Sequence, residues 1–121
     1  MNEKKNVLKE KSFQFAIRMV KLFQYLREVK KEFVLSKQLL RSGTAIGALV
    51  REAQNAESKA DFIHKLQIVQ KECDETSYWL ELLKETKYIT NKEFQSITAD
   101  ATELLKILRS SILISKGIHH S

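Results

Sequence analysis

Phe62-Ile63-His64-Lys65-Leu66-Gln67-Ile68-Val69-Gln70-Lys71-Glu72-Cys73-Asp74-Glu75-Thr76-Ser77-Tyr78-Trp79-Leu80-Glu81-Leu82-Leu83 is the stretch that decides the fold class. Phe62, Leu66, Val69, Cys73, Thr76, Leu80 and Leu83 recur in steps of four and three over three heptads. That spacing lines one face of a helix and has none of the two-residue alternation of a strand. Just upstream, Glu57-Ser58-Lys59-Ala60-Asp61 reads as the helix start, with Ser58 at the cap and Asp61 near the positive end of the dipole. Downstream the pattern frays near Thr86-Lys87-Tyr88-Ile89, and Thr90-Asn91-Lys92-Glu93 offers a capping box. A fourth helix follows on Phe94, Ile97, Ala101, Leu104, Leu108 and Ile112, reaching about Lys116 with Gly117 just past its end.

Toward the N-terminus, a second helix is expected from near Ser36 to about Asn55, with Leu39, Leu40, Ile46, Leu49, Val50 and Ala53 as its apolar set. A first helix is expected from a cap at Ser12 to about Lys30. It carries two apolar lines, one through Phe13, Ile17, Val20 and Phe23 or Gln24, the other through Phe15, Met19, Leu22, Leu26 and Val29. Helices of nearly matched length on short connections pack as antiparallel neighbours. The expected fold is therefore all-α, an up-down-up-down antiparallel four-helix bundle over residues 12–117. A basic N-terminal tail (1–11) and a frayed C-terminal tail (118–121) flank it.

Composition agrees. The 121 residues include no Pro and 3 Gly, where average usage would place about six and about eight. Sandwiches, barrels and propellers need that turn chemistry and are excluded. One cysteine cannot make an internal bridge, and Cys73 in an apolar helical pattern reads as a core residue beside acidic neighbours that disfavour a thiolate. Met1-Asn2-Glu3-Lys4-Lys5 lacks the apolar run of a signal peptide, and no stretch is apolar enough to span a membrane. A cytoplasmic protein with no membrane partner is the expectation.

Catalytic constellations fail on spacing. Di-iron bundles need paired Glu-x-x-His motifs, and the nearest match is the single Asp61-Phe62-Ile63-His64. Glu72 with Glu75, and Asp100 with Glu103, have the one-turn spacing of magnesium-holding carboxylates, a pattern that solvated helix faces also produce. Neither Arg51 to His64 nor Arg109 to His119 fits a helical ribonuclease pair, and His119 and His120 fall in the tail. No catalytic residue, metal or cofactor is expected.

Charge is more informative. Residues 1–60 carry a net +7 and residues 61–121 a net −1, within an overall +6. Arg18, Lys21, Lys37, Arg41 and Arg51 are the candidate phosphate-binding side chains, with Arg18 and Lys21 on one helix face and Lys37 and Arg41 on another. The competing reading makes these charges aids to solubility. Without an aromatic interleaved among them, sequence-specific single-strand readout is not expected. A second apolar line on the third helix, Ile68, Trp79 and Leu82, is either an oligomer interface or the edge of a thick core, and the surplus on the first helix favours an oligomer.

The second helix holds the most distinctive run, Leu39-Leu40-Arg41-Ser42-Gly43-Thr44-Ala45-Ile46-Gly47-Ala48-Leu49-Val50-Arg51-Glu52-Ala53. Gly43 and Gly47 lie one turn apart, and each costs about 1 kcal/mol relative to Ala in a helix interior. Two such costs predict a close approach by another backbone. The run resembles the signature of the four-helix-bundle proteins encoded by 23S rRNA intervening sequences, in its Arg41, Ser42, Ile46 and Glu52. Ser58 to Leu66, Glu72 to Leu80, and Tyr88-Ile89-Thr90 resemble later segments of the same family, and the resemblance covers roughly residues 10 to 115. It implies a four-helix bundle and a homopentamer. The related accessory variability protein of diversity-generating retroelements forms a basic pentameric barrel that binds nucleic acid and a reverse transcriptase. RNA or DNA, and a nucleic-acid-processing protein, are the partners the resemblance implies.

Overall fold

The heptad that opens at Phe62 winds into one continuous helix in the computed structural model, which describes residues 3–117. In chain order the helices are α1 (Glu3–Glu28), α2 (Leu35–Gln54), α3 (Lys59–Glu85) and α4 (Asn91–Ser115). They span about 30–40 Å each. Helix α1 packs on α2 and α4, and α3 packs on the same two neighbours. Short connections alternate the direction, so the chain is an antiparallel four-helix bundle with the α1–α2 and α3–α4 turns at one end and the α2–α3 turn at the other.

Leu66, Val69, Cys73, Thr76, Leu80 and Leu83 of α3 are buried, and Ile97, Ala101, Leu104, Leu108 and Ile112 face them from α4. Cys73 lies in this core, and burial pushes its thiol pKa up to about 12. From α2 come Leu39, Ile46, Val50 and Ala53, with Ser36, Ser42 and both glycines buried among them.

Helix α1 corrects two expectations. It begins at Glu3, so residues 3–11 belong to the bundle instead of forming a tail, and Ser12 lies inside the helix. The reason is Leu8: Leu8, Ser12, Phe15, Met19, Leu22 and Leu26 are all buried at four-and-three spacing, so the core stripe starts before Ser12. Ser12 caps nothing; its hydroxyl donates to the Lys9 carbonyl at 3.1 Å. The other apolar line splits off, with Phe13 at 47% and Val20 at 39% exposure. Val29 lies past the helix end and is exposed, outside the stripe expected to include it. The tail expected at 118–121 lies outside the described residues.

The turns follow local chemistry. Ser58 accepts from the Asp61 N–H at 3.0 Å, and Thr90 and Glu93 close the capping box at 3.1 and 2.8 Å. Gly117, with φ +78°, follows α4 as expected. At the start of α2 the cap is a carboxylate: Glu32 is buried and accepts the N–H groups of Val34, Leu35 and Ser36. A negative charge there meets the positive end of the α2 dipole. Lys31 (φ 57°) and Lys87 (φ 67°) hold the left-handed conformation that ends α1 and α3, a place glycine usually takes.

Candidate nucleic-acid interface

The arginine of the distinctive run reaches across a helix seam. From α2, Arg41 Nη1 donates to Glu72 Oε2 of α3 at 3.1 Å, and Nη2 donates to Glu75 Oε2. Next to it, Ser42 Oγ and Thr76 Oγ1 lie 3.0 Å apart in a buried hydrogen bond, and Thr76 also donates to the Glu72 carbonyl at 2.8 Å. Ile46 adds a core contact one turn on. Arg41 and Ser42 thus join α2 to α3, and a phosphate at Arg41 would compete with two carboxylates already in place. Glu75 is the main cause that holds the Arg41 guanidinium further above its ordinary pKa.

Arg18 does the same on the opposite seam. It donates to Asp100 Oδ2 and Ser96 Oγ of α4, each at 2.7 Å, and to the Ser96 carbonyl at 3.3 Å. About two turns earlier, Lys11 pairs with Glu103 at 2.7 Å, and that carboxylate raises the lysine's pKa. Val7, Glu10, Lys11, Gln14, Asp100 and Glu103 line a groove of about 390 Å³ beside these pairs. The two acidic pairs considered for magnesium therefore sit on opposite seams, each carboxylate held by a cation. Among the described residues, no group of three or more potential ligands could hold a metal ion.

The remaining candidates lie elsewhere. Lys21 and Lys37 are exposed with no carboxylate partner among the described residues. The Arg51 guanidinium sits 5.0 Å from the Phe13 ring centroid, spanning α2 to α1. The five cations do not share one face of the chain: Arg18 turns to α4, Arg41 to α3 and Arg51 to α1. Sequence reasoning missed these through-space partners because no local pattern marks them. It also passed over Phe33, exposed beside Lys30 and Lys31, which a search for aromatics among lysines would have found.

Gly47 meets the backbone expected of it: a Cβ there would fall 3.2 Å from the Ser12 carbonyl oxygen of α1. At Gly43 the neighbour is a side chain instead, the buried Met19, whose Sδ and Cβ would lie 2.8 and 3.1 Å away. Ile68, Trp79 and Leu82 are half-buried, and Trp79 packs against the core with its indole N–H lacking an acceptor among the described residues.

Comparison with known proteins supplies the relationship. The profile of the 23S rRNA-intervening sequence protein family matches residues 4–110. A crystal structure at 1.70 Å resolution, of a protein with unknown function from the S23 ribosomal protein family of Bacteroides thetaiotaomicron VPI-5482, superposes with a TM-score of 0.89. It is 57% identical, and the match covers 90% of this chain and 97% of that one. No curated protein matches. With the family profile spanning nearly the whole bundle and the fold shared with a close relative, the chain belongs to the 23S rRNA-intervening sequence protein family.

Proposed function

We propose that this chain acts without catalysis, as a homo-oligomer that binds nucleic acid with tolerance of sequence and serves as an accessory to a nucleic-acid-processing partner. One observation carries the reading: the N-terminal half keeps a large positive excess, and Lys21 and Lys37 stand exposed with no carboxylate partner among the described residues. Such cations are free to displace counterions from a phosphate backbone. Five copies at +6 each would carry +30, a field that concentrates polyanions. The number five comes from the family resemblance. Support for assembly comes from apolar side chains left at the surface, Phe13 and Val20 of α1 and Tyr78 beside the half-buried Ile68, Trp79 and Leu82 of α3.

The same apolar surface favours a second reading, an oligomer that meets an acidic protein and no nucleic acid. Filter binding to duplex DNA, single strands and structured RNA at two salt concentrations separates the two. Retention that falls linearly in log affinity with log salt supports the proposal; no retention at low salt sinks it. Sedimentation equilibrium tests assembly, and a clean 14.1 kDa monomer at micromolar concentration would remove the oligomer.

A further inference from the structure

We infer that the α1–α2 turn is the contact point for unpaired nucleotides, with Phe33 as a stacking platform and Lys30, Lys31 and Lys37 as phosphate ligands; this rests on the nucleic-acid-binding function proposed above. The turn leaves three apolar side chains in solvent, Val29 at 64%, Phe33 at 48% and Val34 at 71% exposure. Lys30, Lys31 and Lys37 are exposed around them. The one acid within the turn, Glu32, is buried and occupied by the backbone N–H groups of α2, so its carboxylate is not presented to a ligand at the surface. The Arg27 guanidinium lies 5.9 Å from the Phe33 centroid and 5.4 Å from that of Phe23. Aromatic rings and arginine planes both stack bases whatever their identity. At the same end the α3–α4 turn adds exposed Lys87, and the first turn of α4 adds exposed Lys92.

The rest of the surface is less suited. Arg18 and Arg41 are engaged by carboxylates, and the turn at the other end, Asn55-Ala56-Glu57-Ser58, has neither a cation nor an aromatic ring. An anionic bilayer is the obvious competitor for an apolar tip ringed by lysines. Insertion of Phe33 would draw the Arg27 guanidinium toward hydrocarbon with it, whereas a stacked base would keep that charge in water.

Fluorescence anisotropy of the full chain with labelled oligo(U), oligo(dT) and a duplex of equal length tests this, at two salt concentrations. The parent is expected to prefer single strands. Phe33→Leu should lose about fivefold or more in single-strand affinity with the salt slope unchanged, and Phe33→Tyr should restore it. Replacing Lys30, Lys31 and Lys37 together by Gln should flatten the slope by up to about 2. Unchanged helical circular dichroism shows that each variant folds. If the parent binds but Phe33→Leu and the triple variant bind equally well, the inference is overturned while the general function stands. If the parent binds no nucleic acid at low salt, both fall together. Capture of the parent by phosphatidylserine vesicles, lost in Phe33→Leu while oligonucleotide binding is unaltered, would overturn it in favour of a membrane surface.

Discussion

Helix α1 meets its two neighbours by opposite means. Against α2 it presents Ser12 and Met19 to two glycines, and main chain approaches main chain closely enough that a single methyl group would crowd it. Against α4 it reaches out with Lys11 and Arg18 to carboxylates, with an open groove between the helices. The first seam depends on what is missing from the side chains, the second on what extends from them. Close-packed interiors have little room to adjust, while exposed ion pairs reform or hydrate at small cost. The α1–α2 seam is therefore the part of the bundle least tolerant of substitution.

Substitutions can break that contrast in order of severity. Gly47→Leu should be the most damaging, because its Cβ would press on the Ser12 carbonyl of α1 and the helices would have to part. Overpacking of this kind costs about 1–3 kcal/mol, and more where backbone cannot shift. A loss of several degrees in the thermal midpoint is expected, about 4 °C for each kcal/mol in a domain of this size. Gly43→Leu should follow closely, softened only as far as the Met19 side chain can turn aside; Gly43→Leu with Met19→Ala should recover part of the loss. If both single variants melt at or above the parent temperature, the contrast is wrong.

Smaller effects sharpen it. Arg41→Gln leaves Glu72, whose side chain is 14% exposed, and Glu75 without their cation, and should cost about 1 kcal/mol by chemical denaturation. Arg18→Gln should cost less, within about 1 kcal/mol, since its carboxylate partner Asp100 lies nearer to water than Glu72 does. Raising salt from 0.05 to about 1 M should narrow the difference between parent and Arg18→Gln and leave the deficit of Gly47→Leu in place, because screening acts on exposed charges and not on packing.

Much of this architecture was legible in the chain. Ser58, Thr90 with Glu93, and Gly117 sit where their cap chemistry predicts, and the α3 and α4 stripes are buried from Leu66 and Ile97 onward, with Phe62 and Phe94 at their starts half-buried. The start of α1 was not legible because Ser12 has the composition of a cap; only Leu8, four residues earlier, shows that the stripe continues. The start of α2 lies at Leu35, beside the expected Ser36, but its cap was not legible, since it comes from the carboxylate of Glu32. The candidate site was less legible still. Arg18 and Asp100 are 82 positions apart, and Arg41 is 34 from Glu75, so whether an arginine is free or engaged is decided by the tertiary fold.

Cys73 gives the bundle a reporter that needs no engineering. It is the chain's single thiol, buried where α3 meets the core, with its pKa raised to about 12. At pH 7 the thiol in the fold is protonated, and its burial keeps it away from an alkylating reagent in solvent. The labelling of Cys73 by a small maleimide is thus gated by opening of the bundle. Its rate clocks how often α3 leaves its neighbours, in parent and glycine variants alike, in a protein that carries only one place for the label to attach.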